Sequence, residues 1–164
     1  MLTDLLNHLE QDLAASRQVI TCFKSAISAA RETLISAFAE GAPVEQLVTD
    51  HATFMDGVLR LAWNRFEWQE NRRSWRKSRV ALVAVGGYGR SELLPHSDID
   101  LMILLERAHY RRHQANIQSF TTLLWDIGLE VGHSVRTVAE CKSQASSDVT
   151  VMTCLLYTSD AADE

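Results

Sequence analysis

Two short apolar runs constrain the fold of this 164-residue chain more than any other feature. The first is Val80-Ala-Leu-Val-Ala-Val85, and the second lies within residues 99–105, which begin Ile-Asp and continue as Leu-Met-Ile-Leu-Leu. Neither run approaches the roughly 20 apolar residues that a membrane span requires. Runs of this length predict β-strands, and the first is expected to be buried on both faces of a sheet.

The residues before the first strand carry apolar side chains at steps of three and four, which predicts helices. Residues 4–40 are expected to form one long amphipathic helix, and residues 43–70 a second one. Gly41-Ala42-Pro43 separates them, because Gly suits the end of a helix and Pro fits its first turn. We interpret residues 1–70 as a helical scaffold.

The residues after the second strand predict three further elements. Residues 109–127 have helical spacing, residues 129–137 alternate enough to predict a third strand, and a short helix is expected near Val138. The order of elements predicts an α+β fold with a small mixed sheet, on which the N-terminal helices pack.

Charge and composition narrow the classes of partner. The chain has 16 Lys and Arg against 21 Asp and Glu, a net charge of −5, which disfavours nucleic acid. The basic residues within 71–79 predict either a phosphate- or nucleic-acid-binding patch or, as we prefer, a solvated linker before the first strand. The sequence shows neither a secretory signal nor a membrane span, so a cytoplasmic protein without a membrane partner is expected. Three widely spaced cysteines favour reduced thiols over a disulfide scaffold or zinc site.

Two motifs lie between the first two predicted strands. Gly86-Gly87-Tyr-Gly-Arg90 follows the first strand directly, and Gly residues let a backbone approach phosphate oxygens closely. By itself this Gly-Gly pair fits a strand-to-helix turn equally well. Asp98 and Asp100 flank Ile99 at the head of the second strand, so their side chains are expected on one face. Neighbouring carboxylates repel unless a cation lies between them, and such oxygens suit Mg²⁺.

The combination of these motifs resembles the signature of the polymerase β-type nucleotidyltransferase superfamily. Beyond that signature, residues 83–100 and residues 124–137 resemble the N-terminal domain of the bacterial PII uridylyltransferase/uridylyl-removing enzymes. The resemblance covers residues 43–153 and implies a polymerase β-type nucleotidyltransferase fold, whose core would span residues 80–153. It also implies Mg²⁺-dependent transfer of UMP from UTP to a tyrosine of the PII nitrogen-signalling protein.

The resemblance also implies roles for individual residues. Asp98 and Asp100 would hold the metal, and Gly86 and Gly87 would hold the triphosphate. The remaining candidates are two phosphate-binding arginines, a neighbouring serine and a third carboxylate: Arg90, Arg136, Ser97 and Glu130. For each arginine a structural salt bridge is an equal alternative, and Glu130 could equally be a solvent-facing strand residue.

Two other functions stay open from the sequence. A nucleotide-binding regulatory module of the same fold would lack transfer activity, and an adenylyltransferase would act on another protein. The presence of both Asp98 and Asp100 favours an active transferase over a binding module. These motifs do not indicate which nucleotide base the site selects.

The last eleven residues, 154–164, read Cys-Leu-Leu-Tyr-Thr-Ser-Asp-Ala-Ala-Asp-Glu. They match the translation of a transposase-end sequencing adaptor, so we expect this tail to be non-native. The family would continue into a phosphohydrolase domain and ligand-sensing domains. We therefore expect the chain to be the N-terminal catalytic part of a longer enzyme, with weak or no transfer activity by itself.

Overall fold

A computed structural model describes residues 2–68, 80–95, 97–106 and 110–147 of the chain. Helices and strands follow one another in an α+β order, as predicted. The helices are α1 (Leu2–Ala15), α2 (Val19–Ala39), α3 (Val44–Trp63), α4 (Gly86–Gly89), α5 (Tyr110–Asp126) and α6 (Val138–Ser147). The strands are β1 (Val80–Ala84), β2 (Ile99–Leu105) and β3 (Val131–Thr137).

The three strands form one mixed sheet in the order β1-β2-β3, which confirms the predicted small mixed sheet. β1 runs antiparallel to β2, with Val80 opposite Leu105 and Ala84 opposite Leu101. β3 runs parallel to β2, with Ile99 beside Val131, and α5 connects the two strands. β2 is therefore the central strand, and its predicted span of 99–105 is confirmed.

The prediction of one helix over residues 4–40 is wrong, because the chain turns between α1 and α2. The side-chain oxygen of Ser16 accepts a hydrogen bond from the backbone N–H of Gln18, 3.0 Å away, within this turn. Leu9 of α1 and Phe23 of α2 are both buried in one core with residues of α3. A single straight helix could not bring both stripes against α3, so tertiary packing decides the break.

The second predicted helix ends at Trp63 rather than near residue 70. Beyond it the chain folds back, and the ring of Trp68 stacks on that of Trp63 at a centroid distance of 3.7 Å. The indole N–H of Trp68 donates to the backbone oxygen of Trp63, 2.9 Å away. Phe120 of α5 packs edge-on against Trp63, 5.0 Å between centroids, so aromatic packing ends the helix and joins it to α5.

The prediction that β1 is buried on both faces is also wrong. Val80 is buried, but Ala81 is exposed and the remaining residues are half-buried. β1 pairs with β2 alone among the described strands, so it is an edge strand. β2 is the buried strand, with Ile99, Leu101 and Ile103 each at most 3% exposed.

Some sequence predictions fall on residues that the structure does not describe. The basic segment 71–79 and the tail 154–164 lie outside the described residues. No helix within the described ranges is both long and apolar enough to cross a membrane.

The aromatic cluster predicts the effect of one core substitution. Phe120→Ala removes a fully buried ring that contacts Trp63, Phe66 and Trp68, so it is expected to lower the free energy of unfolding by about 3–5 kcal/mol. Urea denaturation followed by fluorescence measures this change. Phe38→Ala is the matched control, because Phe38 is 61% exposed and its loss should change stability by less than about 0.5 kcal/mol. Equal losses in the two variants would contradict the packing described.

Candidate active site

The segment between β1 and β2 begins with a tight turn at Gly86, and we call residues 86–93 the glycine loop. Gly86 has φ +66°, a left-handed backbone conformation that residues other than Gly rarely adopt. The N–H of Val85, just before the loop, donates to the backbone oxygen of Asp100, 3.0 Å away. The start of the glycine loop is thus bonded directly to the residue that carries one of the candidate metal ligands.

Asp98 immediately precedes β2 and Asp100 is its second residue, and side chains alternate between the two faces of the sheet along such extended chain. Both aspartates are exposed, whereas Ile99 and Leu101 between and after them are each 3% exposed. Two residues of strand separate the aspartates by about 7 Å. Their carboxylates can therefore approach one ion from the same face.

The carboxylate of Asp100 lies in a slot between two glycines. A Cβ added to Gly86 would lie 2.7 Å from Oδ2 of Asp100, and one added to Gly132 would lie 2.6 Å from Oδ1. Gly132 is the residue of β3 that pairs with Asp100. Any larger residue at either position would compete with the carboxylate for this space, so both glycines set its position.

Gly132 was not among the residues singled out from the sequence. A glycine inside a strand pattern often marks a close approach of backbone and another group, and this was the available signal. Here the approaching group is a carboxylate on the neighbouring strand.

The donor set fits a divalent cation. Within the described residues no side chain forms a hydrogen bond or ion pair with the carboxylate of Asp98 or Asp100. Two exposed hard-oxygen ligands on one face are the set with which proteins commonly hold Mg²⁺, substrate phosphates and water completing the shell. Over the same described ranges, no group of three or more His, Cys, Asp or Glu side chains forms a site for a metal.

Arg90 turns back on the glycine loop. Its Nη1 donates to the backbone oxygen of Gly86 at 3.0 Å, and its Nε lies 3.0 Å from a carboxylate oxygen of Glu92. A structural salt bridge, the alternative that the sequence left open for Arg90, is therefore present, and its partner is Glu92. Both groups are exposed, so the pair adds little stability and mainly orients the guanidinium. A phosphate contact by Arg90 stays a prediction.

Ser97 immediately precedes Asp98 in the chain, and Glu130 lies beside the start of β2. The backbone oxygen of Glu130 accepts from the N–H of Ile99 at 2.9 Å, which sets it level with the start of β2. Both residues line a cavity of about 110 Å³ that also touches Arg31 and His51 of the N-terminal helices. Glu130 as a third carboxylate and Ser97 as a substrate contact stay predictions.

Arg136 lies farther along the sheet. It pairs with Leu104, four residues beyond Asp100, which is about 13 Å of strand. Burial raises the pKa of the Cys141 thiol on α6, and the positive charge of Arg136 acts against this rise. The Sγ of Cys141 lies 3.7 Å from Sδ of Met102, so α6 covers this face of β2 just past the aspartates. The structure therefore brings together Asp98, Asp100 and the glycine loop, and sets the backbone of Arg136 apart from them.

Comparison with known proteins relates this site to a family. The profile of the nucleotidyltransferase domain family matches residues 67–150. The chain is 48% identical over 147 residues to the bifunctional uridylyltransferase/uridylyl-removing enzyme of Azotobacter vinelandii. Identity to the enzymes of the same name is 50% for Pseudomonas entomophila and 49% for Pseudomonas fluorescens. Each match covers 90% of this chain and 16% of the relative, so the chain spans about one sixth of the length of these curated relatives.

The glycine slot predicts an effect of Gly132→Ala on metal binding. The added methyl group should turn the Asp100 carboxylate away, which costs little stability because the carboxylate is the free end of a side chain. We expect affinity for Mn²⁺, used as a spectroscopic substitute for Mg²⁺, to fall about tenfold. Electron paramagnetic resonance of free Mn²⁺ measures it.

Ser134→Ala is the control for this variant, because Ser134 lies on the same strand but pairs with Met102 instead of Asp100. Its Mn²⁺ affinity should match that of the wild type. An unchanged affinity in Gly132→Ala would show that the slot does not set the carboxylate position.

Proposed function

The chain belongs to the nucleotidyltransferase domain family, and we propose that it transfers UMP from UTP to a tyrosine hydroxyl of a PII-type signalling protein. The observation that carries the proposal is the pair of aspartates on one face of β2, one of them held against the first residue of a glycine loop. A triphosphate needs both elements, because its charge requires a cation and its oxygens require backbone donors.

The glycine loop suits the phosphate end of the nucleotide. The first N–H groups of a helix have no acceptor within the helix, and Gly86 and Gly87 open α4. At Gly86 the space that a side chain would take holds the Asp100 carboxylate, so the backbone N–H groups themselves would be the phosphate donors. We infer that Gly86 and Gly87 bind the β- and γ-phosphates, with Arg90 and Ser97 flanking them.

The aspartates suit the reacting end. Nucleotidyltransferase domains generally use divalent metal ions. A divalent cation bound by Asp98 and Asp100 would neutralise charge on the triphosphate and align its α-phosphorus. The acceptor hydroxyl oxygen attacks this phosphorus, the bond to the β-phosphate oxygen breaks, pyrophosphate departs, and the hydroxyl proton passes to solvent or a nearby carboxylate. Glu130 is our candidate for a third carboxylate of this site.

The choice of base and acceptor rests on the relatives. The matched proteins of Azotobacter and Pseudomonas are named as uridylyltransferases, which supports UTP over ATP for this chain. The resemblance to the PII-modifying enzymes in residues 83–100 and 124–137 supports PII as the acceptor. Because the chain covers only 16% of the relative's length, the base and the acceptor are proposals for this chain.

Substitution of the aspartates tests the reaction. In a chimera in which residues 1–147 replace the matching segment of the Pseudomonas entomophila enzyme, Asp98→Asn or Asp100→Asn should lower transfer by about 100-fold or more. The reason is the loss of a charged ligand while the side-chain shape is kept. Transfer is measured as incorporation of label from α-phosphate-labelled UTP into purified PII.

The same variants in this chain should keep the fold. Without metal, removing one of two neighbouring like charges should raise the melting temperature slightly. Glu106→Gln is the control: it removes a carboxylate charge in the same way, but Glu106 follows the far end of β2, away from the two aspartates. Full transfer in the Asp98→Asn chimera would contradict the assignment of the metal ligands.

Titration calorimetry tests base choice independently of transfer. The chain in Mg²⁺ buffer should bind UTP at least about tenfold more tightly than ATP, because a site that hydrogen-bonds one base leaves polar groups unpaired with another. Tight ATP binding without UTP binding would replace the uridylyl assignment by an adenylyl one. Equal binding of both with no transfer by the chimera would favour a nucleotide-binding regulatory module.

A further inference from the structure

Helix α3 contacts the glycine loop at two separate points. α3 spans Val44–Trp63 and therefore lies outside residues 67–150, which match the nucleotidyltransferase domain profile. The contacts come from Asp56 and His51, five residues apart on the helix, and reach Tyr88 and Leu93. Both contacts join residues more than 30 positions apart in sequence, so local sequence patterns do not predict them.

The first contact joins Asp56 to Tyr88, the residue after Gly86-Gly87. The phenol O–H of Tyr88 donates to a carboxylate oxygen of Asp56. Tyr88 is 5% exposed, and its burial, followed by the negative charge of Asp56, raises the pKa of the phenol far above its ordinary value, with Arg60 opposing. The phenol thus keeps its proton and remains a donor, and its ring is fixed in the core.

The second contact joins His51 to the other end of the loop. The Nδ1 of His51 donates to the backbone oxygen of Leu93 at 3.0 Å, since a carbonyl can only accept. Both residues are buried, at 9% and 1% exposure. Hydrogen bonds in such a setting are costly to lose, because the carbonyl would stay buried without this donor.

Between the two contacts the loop is a closely bonded turn. The N–H of Glu92 donates to the oxygen of Gly87 and that of Ser91 to the oxygen of Tyr88, both at 2.9 Å. Ser91 has φ +59°, a strained conformation that persists only where surrounding contacts hold it. A shift of Tyr88 or Leu93 would therefore move the backbone of Gly87.

We propose that α3 positions the glycine loop for the nucleotide, with Asp56 and His51 acting as positioning residues through Tyr88 and Leu93. This inference rests on the proposed function, since it assigns to the loop the role of binding the triphosphate. Helix α3 would then take part in substrate binding through the loop, without contacting the substrate. If the loop adopts its binding conformation only part of the time, the apparent Kd equals the intrinsic Kd divided by the fraction of molecules in that conformation.

Tyr88→Phe tests the proposal, because it removes the hydroxyl and keeps the buried ring. The Kd of the full chain for UTP in Mg²⁺ buffer, measured by titration calorimetry, should rise about tenfold. Asp56→Ala should raise it by a similar factor, and the double variant by no more than either alone, because the two residues make one interaction. Asp56→Asn keeps an acceptor oxygen and should stay within about threefold of the wild type.

Asn116→Ala is the matched control. The Nδ2 of Asn116 donates to the backbone oxygen of Glu67 at 2.7 Å, a bond between distant segments that does not involve the glycine loop. Its loss should lower the melting temperature and leave the Kd for UTP unchanged. If Tyr88→Phe leaves the Kd unchanged, or if Asn116→Ala weakens UTP binding as much, the positioning role is overturned.

Hydrogen exchange in the absence of nucleotide separates this inference from the proposed function. Amide exchange of Gly89 to Glu92 should become about tenfold faster in Tyr88→Phe, while exchange in β2 and α5 stays as in the wild type. If the wild-type chain fails to bind UTP, the proposed function fails. The exchange result then shows by itself whether α3 fixes the conformation of the loop. Unchanged amide exchange in the loop of Tyr88→Phe would contradict the proposal that α3 fixes the loop conformation.

Discussion

The approach of the Asp100 carboxylate to the backbones of Gly86 and Gly132 is the contact on which the candidate site depends. It joins three segments: β2, which carries the aspartate; β3, which pairs with it; and the glycine loop, which leaves β1. The bond from the N–H of Val85 to the oxygen of Asp100 fixes the loop to the same residue. The candidate metal ligand and the loop proposed to bind phosphate are thereby held by one short stretch of backbone.

The two faces of β2 divide core from site. One face carries Ile99, Leu101 and Ile103, which pack into the core that the sheet shares with the N-terminal helices. The other carries Asp98 and Asp100, and beyond them Met102 under α6. Because side chains alternate along a strand, a slip of one residue in the pairing would exchange carboxylates and core residues between the faces. Burial of the apolar residues therefore also keeps the acidic side chains at the surface.

Much of this arrangement could be predicted from the sequence, because it depends on short-range patterns. The period of two around Asp98 and Asp100, the apolar run of β2 and the Gly-Gly pair all lie within about 20 residues, and the nucleotidyltransferase resemblance is confirmed by the family match. The break between α1 and α2 and the end of α3 at Trp63 depend on packing between distant segments, as in the stack of Trp63 on Trp68. The Asp56–Tyr88 bond and the pairing of Gly132 with Asp100 depend on sheet register and helix placement, which no local pattern encodes.

A crystal structure of the chain with Mn²⁺ and a non-hydrolysable UTP analogue would locate both ligands, because anomalous scattering identifies the position of the metal. We expect a metal ion bound by both Asp98 and Asp100 at about 2.1 Å, with the triphosphate against the N–H groups of Gly86 and Gly87. A metal ion on other residues, or a triphosphate bound away from the glycine loop, would contradict this expectation.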